Sequence, residues 1–335
     1  MRVLFVTNQY PTANKPNTNP AVFYQEKGLR EIGVDVEVFF VDRAGIGPVA
    51  YLRSYLPLRR RWKTGRYDLM HVQFGGFQAL IGAFLAGCRT VITFHGTDLH
   101  GGNPTSRTAR MMARLNVWSS NVASKRCGGI AVVSPTLVPM LPKYLQNDVC
   151  IFPPGVDYDV FFPTSQKTAR EALDLDPDLY YILFSDISGS PVKRRDLAFA
   201  VEKIVQKTEP RASLLLLTSQ PFWRVPLFLN AADCLLLTSE KEGSPNIVKE
   251  ALAVNLPVVS VDVGDVVLQC KEISNCVITE RDVNLLAEAV LNSFRLERSE
   301  GGREKRRAEI SNQNVCRRVL AFYNDVLTRV EQDER

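Results

Sequence analysis

No apolar run in this chain approaches the roughly 20 residues that a helix needs to cross a bilayer. The most apolar stretch, Leu80–Cys88, reads instead as a buried helix, and an integral helical membrane protein is excluded. Cysteine pairs are also missing. Cys88, Cys127, Cys150, Cys234, Cys270, Cys276 and Cys316 are scattered, and none forms a C-x-x-C pair. That rules out a disulfide framework and a cysteine zinc site, and it fits reduced, cytoplasmic usage. The first predicted strand, Arg2–Val6, is too short for a signal-peptide core. It runs into Asn8-Gln9-Tyr10-Pro11 rather than G-x-G-x-x-G, so a Rossmann dehydrogenase is excluded. Low-complexity tracts, short repeats and an obvious catalytic dyad are absent as well.

What the chain has is length and alternation. At 335 residues with 45% hydrophobic content it is long enough for two cores. Strands are expected at 2–6, 34–41, 67–74, 90–94, 129–133, 181–184, 213–217, 235–237, 257–261 and 276–279. Helical patterns fall between them, including 77–87, 105–125, 195–207 and 283–295. Strands alternating with helices predict α/β architecture with parallel doubly wound sheets. Ile151–Pro163, rich in proline and aromatics, reads as a crossover. We therefore expect an N-terminal domain over 1–156 and a C-terminal domain over 157–312. A last helix over 313–335 carries an apolar stripe (Val315, Val319, Phe322, Val326) that needs a surface to pack on. The net charge of +5 conceals an asymmetry: 18 Lys and Arg against 9 acids up to Asp157, then 23 against 27. The two halves should meet different partners.

The stretch Leu235–Asp265, LLLTSEKEGSPNIVKEALAVNLPVVSVDVGD, organises the rest. It reads as strand, loop, helix and strand. Ser244 is the expected N-cap, with Pro245 at the first helical position. A helix opening just past a strand end offers free N–H groups to phosphate or sugar oxygens. Two carboxylates bracket that opening, Glu242 in the loop and Glu250 in the helix.

The spacing glutamate, seven residues, glutamate around Gly243-Ser244-Pro245-Asn246 resembles the donor-site motif of retaining glycosyltransferases of family four. That resemblance implies a GT-B fold, two Rossmann-like domains facing a central cleft, with the last helix returning toward the N-terminal domain. It also implies transfer of a sugar, of hexosyl type, from a nucleotide-sugar to a glycan or lipid-linked acceptor. The nucleotide-sugar is then a substrate; no cofactor and no metal are implied. The expected donor contacts are Gly243, Ser244, Pro245, Asn246, Ile247 and Glu250, the last on the ribose hydroxyls.

Further motifs extend the resemblance. FSDISGSPVKRRDLA, Phe184–Ala198, is similar to the family's diphosphate-gripping strand and helix start, with Lys193 on the family lysine. The family's arginine just after the strand is missing; Asp186 and Ile187 stand there, and Arg194 or Arg195 is the substitute. The resemblance makes Glu242, His95 and Lys193 the catalytic candidates, His95 lying in a His-Gly-Thr-Asp turn. His71, between Met70 and Val72, reads as structural. The family's Gly-Gly turn after the first strand is replaced by Asn17-Thr18-Asn19-Pro20-Ala21, which leaves Asn19 as the acceptor-side candidate. Phe152–Asp157 resembles the family's linker.

Other readings stay open on the sequence alone. A metal-dependent GT-A enzyme would use D-x-D, but Asp157-Tyr158-Asp159, Asp174-Leu175-Asp176 and Asp176-Pro177-Asp178 do not follow apolar strands. A nucleotide-sugar epimerase and a non-catalytic binding protein with a degenerate donor site are the remaining alternatives. Finally, Tyr51–Arg66 carries six cations and no acid, interleaved with Tyr51, Leu52, Tyr55, Leu56, Leu58 and Trp62. A helix there, broken near Pro57, is expected to meet the inner face of an anionic membrane peripherally. Nucleic acid is not an expected partner.

Overall fold

The computed structural model describes the chain except residues 13–17, 19, 45, 102–103, 105, 187–188, 219, 297, 299–300 and 334–335. Asn19 and Ile187 thus lie outside the described residues. Two compact units emerge: Met1–Thr12, Thr18–Gly155 and Gln313–Arg335 form one, and Val156–Asn312 the other.

The first unit runs β1 (Arg2–Thr7), α1 (Pro20–Glu31), β2 (Asp35–Phe40), α2 (Val49–Gly65), β3 (Leu69–Gln73) and α3 (Phe77–Ala86). It continues with β4 (Thr90–Phe94), α4 (Thr97–His100), α5 (Arg107–Ser124), β5 (Gly129–Val132) and β6 (Val149–Ile151). The strands form one parallel sheet in the order β2-β1-β3-β4-β5-β6. Alternate residues of β1 supply two cores, as the period of two dictates. Leu4 and Val6 pack with Ala50, Leu58, Ala79, Ala83 and Ala123 beneath α2, α3 and α5. Val3 and Phe5 pack on the opposite side with α1.

The second unit contains α6 (Gln166–Glu171), β7 (Tyr180–Ser185), α7 (Arg195–Thr208), β8 (Ala212–Leu217), α8 (Val225–Ala231) and β9 (Cys234–Leu237). Then come α9 (Asn246–Ala253), β10 (Val258–Val261), α10 (Val266–Cys270), β11 (Cys276–Thr279), α11 (Val283–Ser293) and α12 (Gly301–Ile310). Its parallel sheet has the order β11-β10-β9-β7-β8. The last helix, α13 (Asn312–Asp333), packs its stripe of Val315, Val319, Phe322 and Val326 on Val3, Phe5 and Leu29 of the first unit.

Two expectations need correction. The helix over α2 is not broken: Pro57 sits inside a continuous helix on its exposed side. The preceding turn tolerates the missing donor because solvent reaches the backbone there. Ile151 closes β6 instead of opening the crossover. No helix among the described residues is long and apolar enough to cross a membrane.

Candidate active site

In the second unit the site is assembled from two loops at the carboxyl ends of adjacent strands. β7 and β9 are neighbours, so the turns after them come together. Three bonds tie them: Thr238 Oγ1 donates to the Lys193 and Arg194 carbonyls (2.8 and 3.1 Å), and the Glu240 amide donates to the Val192 carbonyl (2.8 Å). This lacing places Lys193 Nζ 2.6 Å from Glu242 Oε1, an ion pair in which both side chains are largely covered. Arg194, in the left-handed conformation with φ 56°, reaches Asp196 at 2.8 Å and Glu240 at 3.2 Å. Arg195 instead leans on the buried Asp186 at 3.4 Å. Among the described residues Asp186 Oδ1 has no hydrogen-bond partner.

α9 opens at Asn246, with Pro245 in the capping position and no side chain capping the amides. The expected N-cap, Ser244, does something else. Its hydroxyl accepts from Lys249 Nζ at 3.0 Å, because the buried ammonium needs an oxygen more than the helix end needs a cap. The uncapped amides at the start of α9 make an anion-receptive corner. Ile247 is buried beneath it. Gly264, at φ +60°, closes the other side: a Cβ there would stand 2.8 Å from the Gly243 carbonyl. A side chain at that position would push the Glu242–Gly243 turn away.

Glu250 has no hydrogen-bond partner for its carboxylate among the described residues. Burial pushes its pKa up to about 7, and the Lys249 charge pulls it back in part. The residue is intermediate in exposure, so solvent relieves some of that cost. Burial likewise lowers Lys249 to about 8, opposed by Asp265 and Glu250. Two adjacent groups thus have their charge held near the edge of ionisation.

His95 belongs to the first unit. Its ring stacks on Phe74 at 3.9 Å, and its Nε2 lies 3.1 Å from Gln73 Oε1. Gln73 Nε2 donates to Gln25 Oε1 at 2.5 Å, with Gln73 Oε1 turned to His95. The buried Asp98 carboxylate accepts from the Gly75, His95 and Gly96 amides at 2.8, 3.1 and 2.8 Å. Burial raises its pKa, and these amides oppose that rise. A cavity of about 270 Å³ adjoins this turn, lined by Asn8, Tyr51, Phe74, Asp98 and Asn116 among others. His71 is structural: it is buried, with Nδ1 on the Tyr323 hydroxyl and Nε2 2.7 Å from Thr93 Oγ1.

The structure therefore gathers Glu242, Lys193, Gly243, Ser244, Pro245, Asn246, Ile247 and Glu250 around one loop and helix start. Arg194 stands beside them in the grip of two acids, and His95 lies in the other unit, stacked on Phe74. Sequence reasoning missed Thr238, Gly264 and Lys249, and Gln73 on the first unit. Only the lysine carried a signal, a cation within an otherwise apolar helical face. Among the described residues no group of three or more His, Cys, Asp or Glu is placed to hold a metal ion.

The family model described as Glycosyltransferase Family 4 matches residues 4–160, and that described as Glycosyl transferases group 1 matches residues 197–295. The chain belongs to these glycosyltransferases. A relative in Bacillus subtilis (strain 168), TuaC, described as a teichuronic acid biosynthesis glycosyltransferase, is 25% identical over 87% of this chain and 88% of its own. Among solved structures, sucrose-phosphate synthase from Thermosynechococcus elongatus has a TM-score of 0.77 at 15% identity, covering 98% of this chain and all of that one. Anabaena HepE in complex with UDP has a TM-score of 0.65 at 14% identity, covering 97% of this chain and 100% of its own. With its two parallel α/β units, this glycosyltransferase has the GT-B fold.

Proposed function

We propose that this glycosyltransferase moves a hexosyl group from a nucleotide-sugar to a glycan or lipid-linked acceptor with retention of configuration. The observation that carries the reading is the Lys193–Glu242 pair beside the uncapped start of α9. In it the leaving diphosphate takes the place of the carboxylate on Lys193, and the α9 amides with Asn246 share its charge. Positive groups fixed before the reaction stabilise the charge that grows on the leaving phosphate. Glu242, released from the lysine, orients the sugar, and Glu250 accepts from the ribose hydroxyls. Arg194 gives a second phosphate contact only by leaving Asp196 and Glu240. The departing phosphate takes the acceptor proton, so neither a metal nor a separate strong base is required. His95, its ring stacked on Phe74 with Nε2 on Gln73, contacts a sugar hydroxyl. The cavity at Asn8 and Asn116 is the acceptor side.

The nucleotide-sugar donor is supported by the UDP bound in HepE, and a role in polysaccharide biosynthesis by the description of TuaC. A cytoplasmic enzyme peripheral to the inner membrane face fits the six cations of residues 51–66. The test is direct. Purified protein is offered UDP-, GDP- and ADP-sugars, and thermal stabilisation followed by donor turnover is measured. Stabilisation by one sugar nucleotide with turnover supports transfer. Stabilisation without any turnover, with or without acceptor extracts, supports a degenerate binding protein instead. The anomer of the product, read by NMR, decides retention.

A further inference from the structure

Between Arg43 and Asn147 the chain holds fourteen Lys and Arg against two acids, Asp68 and Asp98. Neither acid offsets the cations outside: Asp98 is buried and satisfied by amides, and Asp68 accepts from the Arg2 amide at 2.6 Å. The fold then concentrates this bias on one layer. α2, α3 and α5 cover the same face of the first sheet, with α3 packed against both of the others. Not one of the three helices contains an Asp or Glu.

The same layer exposes large apolar side chains. α5 presents Met111, Leu115 and Trp118 at helical spacing, with Trp118 57% exposed. Arg107, Arg110 and Arg114 are interleaved with them. α3 adds Phe84, capped by the Arg126 guanidinium 4.2 Å from its ring centre. On α2, Leu52 and Leu56 are 78% and 69% exposed, beside Arg53, Arg59, Arg60 and Lys63. The structure corrects the expected anchors here. Tyr51 and Leu58 are buried in the core, and Trp62 stacks on Tyr67 at 6.0 Å. A groove of about 440 Å³ runs beside α5, lined by Arg110, Arg114, Val117, Trp118 and Asn121 among others.

We propose that the outer face of α2, α3 and α5 is a single docking surface for an anionic lipid bilayer, with α5 as its inserting element. This deepens the membrane contact assigned to residues 51–66 and rests on that reading. Apolar side chains flanked by cations, of which only Arg61 is seen paired with an acid (Glu37 of β2) among the described residues of α2, match the headgroup boundary, where Trp seats and arginines meet lipid phosphates. A soluble polyanion would use the arginines but leave Trp118, Met111 and Leu115 in water. The apolar component therefore favours a bilayer.

The experiment is flotation of the full-length protein with phosphatidylglycerol-containing and with neutral phosphatidylcholine vesicles, at low and high salt. Three variants accompany it: Met111→Ser/Leu115→Ser/Trp118→Ser, the single Trp118→Ala, and Arg59→Ser/Arg60→Ser/Arg61→Ser. All the α5 positions are exposed, so circular dichroism and thermal midpoints should match the parent. The single variant serves if the triple does not fold. A cation near an anionic surface is worth about fivefold in partitioning, so the arginine variant should lose on the order of a hundredfold. The α5 triple should lose at least tenfold, while stabilisation by nucleotide-sugar stays at the parent level. Equal flotation with neutral vesicles overturns the proposal. So does full binding by the α5 variants; if the arginine variant still fails there, the 51–66 contact survives alone. Inorganic phosphate or a soluble polyanion displacing the protein from vesicles while the α5 variants bind normally would mean an anion site and not a bilayer face. Loss of donor binding with flotation intact would count against the transfer reading and leave the surface standing.

Discussion

The two units share one architecture but handle buried charge in opposite ways. In the first, the buried Asp98 carboxylate is held by the amides of its own turn, and a neutral network runs through His71 and Gln73. His71 sits between Tyr323 and Thr93, its pKa lowered to about 3 by burial, and Gln73 links Gln25 to His95. In the second, Lys249 and Glu250 are adjacent and poorly solvated, and Glu250 has no hydrogen-bond partner for its carboxylate among the described residues. A satisfied network positions a ligand and asks nothing of it. An unsatisfied carboxylate is stabilised when a ligand brings donors to it. The difference marks the second unit as the one whose polar groups wait for a partner.

That contrast has opposite pH signatures. His71 has its folded pKa depressed to about 3 from 6.5, so its contribution is fully present above 6.5 and lost as pH falls. The loss amounts to about 4 kcal/mol across that window. Urea midpoints measured from pH 7 to pH 4 should fall, and His71→Gln should flatten the acid limb. An unchanged slope in the variant would break the comparison on the side of the first unit. Glu250 runs the other way. Its folded pKa is raised from 4.5 to about 7, so its stabilising contribution is present below 4.5 and declines as pH rises through 7.

The next largest effect is expected at Lys193. Lys193→Ala should lower kcat by about a hundredfold, more than it weakens donor binding, because the contact strengthens as charge develops on the leaving phosphate. A rise in KM with kcat unchanged would reduce the lysine to a binding contact. Removing the hydroxyl by Tyr323→Phe leaves His71 Nδ1 buried without a donor and should cost about 1–3 kcal/mol in stability. Donor affinity in calorimetry should not change, since the Tyr323 hydroxyl meets His71 and not His95. A loss of donor affinity would show that the units do not divide the work in this way.

Glu250→Gln should weaken donor binding about tenfold, the value of a charge-assisted hydrogen bond. The parent should also bind donor about tenfold more weakly at pH 6 than at pH 8, as the carboxylate with a pKa of about 7 protonates. The variant should lose that dependence, and a parallel pH profile would remove Glu250 from the ribose contact. The smallest effect sharpens the picture by its absence: turnover should be the same after EDTA treatment. Abolition by EDTA with rescue by manganese would replace the amide-and-lysine account with a metal-bridged diphosphate.

What the sequence by itself determined is local. Gly243 to Glu250 lie within one loop and one helical turn, so their proximity follows from chain connectivity, and their motif could be read directly. The alternation of strands and helices was legible for the same reason, because a period of two or 3.6 is a property of neighbours. Even here the local chemistry went astray at Ser244, whose hydroxyl serves Lys249 rather than the helix end, since burial of the ammonium is decided by packing. Everything that joins distant segments waited for the tertiary structure. Lys193 meets Glu242 because β7 and β9 pair, and Thr238 laces their loops. Gln73 reaches His95 because β3 and β4 pair, and Tyr323 reaches His71 across 252 residues because the stripe of α13 has one complementary core face to cover. The basic stretch shows the division most clearly. Charge and apolarity were plain in the sequence, but which side chains turn inward depends on the sheet beneath, and that sheet left Leu52 and Leu56 outside while burying Tyr51 and Leu58.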